Sequence, residues 1–102
     1  MIIERNIFYL KFGKAKEGIE IWKQILNEAK RNNFKGPEMR LLSDISGTAY
    51  TLILEMHIGS FTDINSKNTI WATHPSFQEL YQQFIPLCEK AHREYFKIEA
   101  LI

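Results

Sequence analysis

The chain has 102 residues, of which 45% are hydrophobic and 25% charged, and its formal net charge is +1. This length favours a single domain spanning residues 1–102, and the composition is typical of a soluble globular protein. The near-zero net charge excludes the strong basic field that recruits nucleic acid, and no apolar run approaches the roughly 20 residues of a membrane-spanning helix.

The first half of the sequence predicts a strand followed by a long helix. Residues 2–12 are rich in β-branched and aromatic side chains, which favour a strand, and Gly13 ends it. Apolar residues then recur every three or four positions from Ala15 to Ala29, which is the pattern of an amphipathic helix. Gly18 lies within this apolar stripe and is expected to let the helix approach the sheet closely. Gly36 and Pro37 follow the helix as breakers.

Two strands are predicted next, at residues 39–46 and 49–58, and the short turn between them around Gly47 indicates an antiparallel hairpin. A sequence resembling a capping box at Ser60 to Asp63 then predicts a helix that continues to about Trp71.

The last part of the chain predicts a further helix and a closing strand. Pro75 suits an early helical position, and an apolar stripe continues from Phe77 to Ala91. Pro86 lacks an amide donor and is expected to kink or restart this helix. Residues 94–101 are predicted to form the final strand.

This β-α-β-β-α-β order predicts a ferredoxin-like α+β sandwich with a four-stranded antiparallel sheet. The side covered by the helices is expected to bury Phe8, Leu10, Leu52, Leu54, Phe96 and Ile98. The opposite side is expected to carry Ile3, Ile7, Tyr9, Ile53 and Tyr95, mixed with Arg5, Glu55, His57 and Lys97. Exposed apolar patches of this kind are typical of protein interfaces, so we expect another protein surface to cover this face. We therefore expect a homodimer in which two sheets stack or close into a barrel.

Three segments resemble a known superfamily: residues 39–47, Leu54-Glu55-Met56 followed by Phe61, and residues 74–80 leading to 93–99. With these segments the chain resembles the dimeric α/β-barrel superfamily, which includes antibiotic-biosynthesis-type monooxygenases. More narrowly, it looks like a NIPSNAP-like member. The resemblance implies the dimeric barrel and leaves the reaction open, because many such proteins have no established activity.

The same resemblance raises the question of haem. Haem-degrading members of the superfamily use an Asn on the first strand, and a Trp and an iron-binding His on the second helical segment. Asn6 and Trp71 match the first two positions, whereas Tyr81 occupies the position of the His. Tyrosinate ligates iron in some haem proteins, but the missing His disfavours haem here. The expectation is therefore that the protein uses no cofactor.

Two histidines are weak candidates for a catalytic role. His57 shares a strand face with Glu55, although residues two apart on a strand are separated by ~6.6 Å along it. The alternative for His57 is a polar network at the barrel interface or at a strand end. His74 precedes Pro75 at a break between helices, where a side chain can point into a cleft, and the alternative is a loop or cap residue. The histidines lack a metal-binding spacing such as His-x-x-x-His, so no metal site is expected.

Four aromatic side chains on the helical segments are spaced to face the sheet: Trp22, Trp71, Tyr81 and Phe84. They are either core residues or the walls of a pocket for a flat or apolar molecule, with Asn6 as a polar group. The predicted substrate-binding residues are Asn6, Trp71, His74 and Tyr81.

Three functional hypotheses remain open, and so does the question of whether the protein is an enzyme. The first is a homodimer that binds a small apolar or aromatic ligand, with a cofactor-independent monooxygenase on an aromatic or polyketide-like substrate as its catalytic version. The second is a non-catalytic dimeric structural or interaction module. The third is haem binding or degradation.

Nucleic-acid and membrane partners are not expected, and neither is export. RNA-recognition domains of the same strand order need exposed aromatics in a basic motif, which residues 51–55 do not supply. Glu4 and Arg5 place charge where a signal peptide requires an apolar core. The single cysteine, Cys88, excludes an internal disulfide and fits a reducing compartment. We therefore expect a cytoplasmic protein.

Overall fold

A computed structural model describes residues 1–34, 36–60 and 71–102 of the chain. The elements are β1 (Ile2–Leu10), α1 (Ala15–Arg31), β2 (Met39–Ser43), β3 (Thr51–Ile58), α2 (Pro75–Phe84), a 3-10 turn (Ile85–Leu87) and β4 (Cys88–Lys97). All strand pairs are antiparallel, and the sheet order is β2-β3-β1-β4. This arrangement confirms the predicted ferredoxin-like α+β fold. The helix predicted between Ser60 and Trp71 falls on residues 61–70, which lie outside the described residues.

The sheet separates two sets of side chains because β1 lies between β3 and β4. Glu4 is opposite Met56 on β3 and Tyr95 on β4, whereas Arg5 is opposite Glu55 and Glu94. Residues directly opposite each other in an antiparallel pair share one face. The even-numbered residues of β1 therefore face the helices, and the odd-numbered residues form the second face, which we call the open face.

The core lies between the helices and the helix-facing side of the sheet. Helix α1 buries Gly18, Ile21, Trp22, Ile25 and Ala29 there. At Gly18 the expected close approach is present, because a Cβ atom at this position would lie 2.9 Å from Cδ1 of Leu10. Phe84 at the end of α2 completes the core, and its ring meets that of Phe8 edge-on at 4.9 Å.

The prediction for the last strand was wrong at both ends. Strand β4 begins at Cys88 and ends at Lys97, whereas residues 94–101 were expected. Leu87, Cys88 and Ala91 continue the helical period of α2, so periodicity alone extended the helix. Pro86 instead stands in the 3-10 turn that ends the helical segment, and the extended strand starts two residues later.

The predicted faces of β4 were wrong as well. Phe96 lies opposite Ile3 on the open face, whereas Tyr95 and Lys97 lie opposite Glu4 and Ile2 on the helix-facing side. Side chains alternate with a period of two, so placing the strand one register position away exchanges its faces. Ile98, expected in the core, lies beyond the end of the strand.

Within the described parts of the chain, no helix is both long and apolar enough to cross a membrane.

Candidate functional site

A cavity of about 350 Å³ lies between the helices and the sheet. Its walls include Trp22, Ile25 and Tyr81 from the helices, and Glu4, Asn6 and Met56 from the sheet. Ligand pockets occupy roughly 300–1,000 Å³ and are mostly apolar with a few polar groups, and this cavity has that size and composition.

The structure brings three of the four predicted binding residues to this cavity. Asn6, Trp71 and Tyr81 line it, and their role in binding stays a prediction. His74 is not among the lining residues. Its Nδ1 accepts a hydrogen bond from the Ser76 amide at 3.1 Å at the start of α2, and its ring centroid lies 5.0 Å from that of Trp71. His74 is therefore positioned as a helix cap, which supplies an acceptor to an otherwise unpaired amide.

Trp22 is the centre of the aromatic wall. Its ring meets three others edge-on, with centroid distances of 6.1 Å to Tyr81, 5.7 Å to Phe84 and 6.3 Å to Phe77. The residue is only 3% exposed, and its Nε1 atom is buried with no hydrogen-bond partner among the described residues. Buried polar groups in native structures are nearly always paired, so this indole N–H is an exception.

Polar side chains form a strip across the sheet wall of the cavity. Asn6 Nδ2 donates to Glu4 Oε2 at 2.9 Å, and Arg93 Nε donates to Asn6 Oδ1 at 2.8 Å. Tyr95 is not among the lining residues but joins this network: burial raises its pKa, and its hydrogen bond with the Glu4 carboxylate raises it further. The four residues, which we call the polar strip, satisfy one another although Glu4 is only 2% exposed.

Sequence reasoning missed three of the four strip residues. Glu4 is two positions from Asn6, so the period of a strand was the available signal that both share a face. Arg93 and Tyr95 were missed for a different reason. The first was left outside the predicted strand, and the second was assigned to the opposite face.

The open face carries a second cluster, built around the fully buried Glu55. Arg5 Nε donates to Glu55 Oε2 at 3.0 Å, and Arg40 Nε donates to Oε1 at 3.1 Å, with an additional bond from the Arg40 Nη2 atom. The Arg40 hydrogen bond is the main reason that the pKa of Glu55 is lowered, and the Arg5 hydrogen bond and the nearby His57 imidazole act in the same direction, whereas burial opposes them. The predicted pairing of Arg5 with Glu55 is present.

His57 belongs to this cluster rather than to the cavity. Its Nε2 lies 3.4 Å from Glu55 Oε1 and is buried without a well-formed hydrogen bond. The sheet separates His57 from the cavity, because its partner across β1 is Ile3 on the open face. The structure therefore gives no support for His57 as a general base that acts in the cavity.

The described residues give little support for a metal site or a reactive cysteine. They contain no group of three or more His, Cys, Asp and Glu side chains that is arranged to hold a metal ion. Cys88 is half-buried at the start of β4, and its Sγ lies 3.8 Å from the Phe84 carbonyl oxygen. Burial raises the pKa of this thiol, which disfavours the reactive thiolate.

The fold is shared with several solved structures. An uncharacterized NIPSNAP domain protein from Burkholderia xenovorans has a TM-score of 0.85 at 16% identity, over 100% of this chain and 98% of that chain. A NIPSNAP family protein from Agrobacterium tumefaciens has a TM-score of 0.79 at 14% identity, over 94% of this chain and 90% of that chain. This chain has the NIPSNAP fold.

An antibiotic biosynthesis monooxygenase is similar to this NIPSNAP-fold chain with a TM-score of 0.68 at 8% identity, over 100% of both chains. No family model matches the chain, and no curated protein matches it. At these identities the likeness establishes the NIPSNAP fold, and the resemblance read from the sequence is confirmed at that level.

Acid sensitivity provides a test of the Glu55 cluster. The pKa of Glu55 is lowered in the folded state, so its stabilising effect is complete above the ordinary glutamate pKa of about 4.3 and is lost as pH falls through the folded value. We expect Glu55→Gln to lower the free energy of unfolding at neutral pH by about 1.5–3 kcal/mol, the usual contribution of hydrogen bonds to a charged group.

The same variant should lose less stability than the wild type on acidification, as measured by urea unfolding from neutral to acidic pH. Glu94→Gln, at a half-exposed carboxylate on the same face, is the control and should follow the wild type. An unchanged acid profile in Glu55→Gln would contradict the assigned role.

Proposed function

We propose that this protein is a dimeric domain that binds a small, flat, aromatic or apolar molecule in the cavity between helices and sheet. The single observation that carries the proposal is a cavity of about 350 Å³ walled by aromatic rings, with the polar side chains of Glu4 and Asn6 on its sheet side. A tightly packed space between helices and sheet would have favoured a purely structural module. Apolar walls with a few polar groups are typical of sites for such molecules.

The catalytic version of the proposal is a cofactor-independent monooxygenase. In such a reaction a substrate CH₂ group becomes a carbonyl, one oxygen atom of O₂ enters the product and the other leaves as water. The substrate supplies all four electrons that O₂ accepts, so the protein needs only to bind the substrate, exclude water and assist proton removal. The apolar wall around Trp22 and the polar strip provide those elements in one cavity.

Haem is not part of the proposal, because the residue at the expected ligand position suits iron poorly. Tyr81 lines the cavity, and burial raises the pKa of its hydroxyl. A higher pKa disfavours the tyrosinate form that would ligate iron.

The dimer in this proposal forms through the open face. Phe96 is 44% exposed there, and the centre of its ring lies 5.1 Å from Cζ of the Arg5 guanidinium above it. Together with the half-buried Ile3 and Tyr9 it forms a largely apolar surface beside the Glu55 cluster. Apolar centres with a few paired charges are typical of protein interfaces. The same face also supports the alternative function, a dimeric module without a ligand.

Ligand binding can be tested by filling the cavity. Met39 lines the cavity from β2, so Met39→Trp should occupy part of it and weaken binding of naphthalene and coumarin by about tenfold or more, the cost of losing roughly 1.4 kcal/mol of contacts. Titration followed by NMR shifts of the Trp22 indole N–H provides the measurement.

The matched control is Leu42→Trp, which places the same side chain on the same strand but on the open face, opposite Ile53. It should bind both probes as the wild type does. Failure of the wild type to bind any planar probe would contradict the proposed function.

The oxygenase version has its own test, turnover of a panel of polycyclic aromatic ketones and phenols with and without air. We expect a product that carries one atom from isotopically labelled dioxygen, formed only aerobically and more slowly by Met39→Trp. If the probes bind but no oxygen-dependent product forms, the protein is a binding domain and not an oxygenase.

The dimer can be tested with one charge on the open face. Phe96→Glu should convert a dimer into a monomer in sedimentation velocity, because it buries a carboxylate in an apolar interface. Phe12→Glu is the control, since Phe12 is 88% exposed in the turn after β1, away from this face. A monomeric wild type, or a Phe96→Glu variant that remains dimeric, would contradict the proposed interface.

A further inference from the structure

One end of the sheet exposes apolar side chains on three connections between elements. Phe12 in the turn between β1 and α1 and Ile45 in the loop between β2 and β3 are almost fully exposed. Ile85, in the 3-10 turn before β4, is about half exposed. The three connections lie at the same end because β1 and β2 end there and β3 and β4 begin there. We call these residues, together with Tyr50, the tip.

Hydrogen bonds and ring contacts hold the tip in place. The Leu10 amide donates to the Tyr50 carbonyl oxygen and the Lys11 amide to the Leu87 carbonyl oxygen, both at 2.8 Å. The ring centroids of Phe12 and Tyr50 lie 5.2 Å apart. Tyr50 has a φ of 60°, a left-handed backbone conformation that is uncommon for an aromatic residue and persists only where the surrounding structure imposes it. The fold therefore orders the aromatic part of this exposed surface.

Positive charge is concentrated on the Phe12 turn. Residues 11–16 read Lys-Phe-Gly-Lys-Ala-Lys, and the three lysines are exposed. Lys14 pairs with Glu17 at 3.6 Å, whereas Lys11 and Lys16 form no ion pair with a described residue. The other charged side chains near this end carry both signs: Asp44, which accepts a hydrogen bond from the Thr51 amide, Glu89 and Lys90.

The shape and charge of the tip favour a membrane surface over a peptide. Peptides bind in grooves or along strand edges, whereas Phe12 and Ile45 project from loops. Aromatic and aliphatic side chains beside lysines suit the boundary between lipid headgroups and acyl chains, and anionic headgroups attract the lysines. The expectation of no membrane partner was based on the net charge and on the lack of a long apolar run, and neither reflects a local arrangement of this kind.

We propose that the tip is a docking surface for anionic membranes, in which Phe12 and Ile45 insert among the headgroups and Lys11 and Lys16 contact lipid phosphates. The contact is peripheral, made by side chains on loops. It lies apart from the cavity, whose wall includes Glu4 near the start of β1 and Met39 at the start of β2. Those strand ends are remote from the tip, so the two sites are independent and neither requires the other.

Co-sedimentation of the full chain with vesicles tests the docking surface. One set of vesicles contains equal parts of phosphatidylglycerol and phosphatidylcholine, and the other contains phosphatidylcholine alone. The wild type should bind the anionic vesicles about tenfold more tightly, as expected when two lysines approach an anionic surface. Added salt should weaken this binding because it screens exposed charges.

The apolar contribution is tested by Phe12→Gln. This variant should bind anionic vesicles about tenfold or more weakly, because the aromatic ring no longer leaves water. Leu101→Gln is the matched control, since Leu101 is 82% exposed and follows the end of β4 that is remote from the tip. It should bind as the wild type does.

The charge contribution is tested by the double variant Lys11→Gln and Lys16→Gln. It should lose the preference for anionic over neutral vesicles. The control is Lys23→Gln with Lys97→Gln, which removes the same charge from an exposed position in the middle of α1 and from the far end of β4. This control should keep the preference.

Loss of binding in both tip variants, with binding retained in both controls, would support the docking surface. A wild type that does not bind anionic vesicles would overturn it, and so would binding that Phe12→Gln leaves unchanged. A wild type that ignores vesicles but forms assemblies that Phe12→Gln dissolves in sedimentation velocity would assign the tip to a second copy of the chain instead. All substitutions are at exposed positions, so thermal unfolding of each variant should match the wild type.

Discussion

The alternation of side chains along β1 is the constraint on which both faces of this protein depend. As an inner strand, β1 is paired on both edges, so its register with β3 and β4 is fixed by two ladders of hydrogen bonds. Glu4 consequently points to the helices and Arg5 to the open face. A shift by one residue would exchange them and place a carboxylate and a guanidinium on the wrong sides.

Each face of the sheet contains one buried glutamate, and the two carboxylates have different hydrogen-bond partners. Glu55 on the open face is paired with Arg5 and Arg40, whose charges compensate it directly. Glu4 on the helix-facing side is held by neutral donors, the Asn6 amide and the Tyr95 hydroxyl. The first arrangement is closed and suits an interface. The second lies in the wall of a cavity.

The cavity also explains why the aromatic residues are so numerous on the helices. Trp22, Phe77 and Tyr81 meet at angles and distances typical of aromatic clusters, and they support one another without filling the space above the polar strip. Apolar side chains in place of Glu4 and Asn6 would pack more closely and remove the cost of burying polar groups. The fold retains the polar residues, and binding is the role that we propose for them.

The sequence by itself determined the element order and the amphipathic helix α1, because these follow from local periodicity and turn residues, whereas the NIPSNAP-like fold was indicated by a resemblance to known proteins. It also identified Asn6, Trp71 and Tyr81, which line the cavity. Tertiary structure alone decided where β4 begins, since Cys88 and Ala91 satisfy a helical period equally well and only pairing with β1 makes them a strand. That pairing brought Arg93 to Asn6 across 87 positions of the chain, a contact that no local pattern contains.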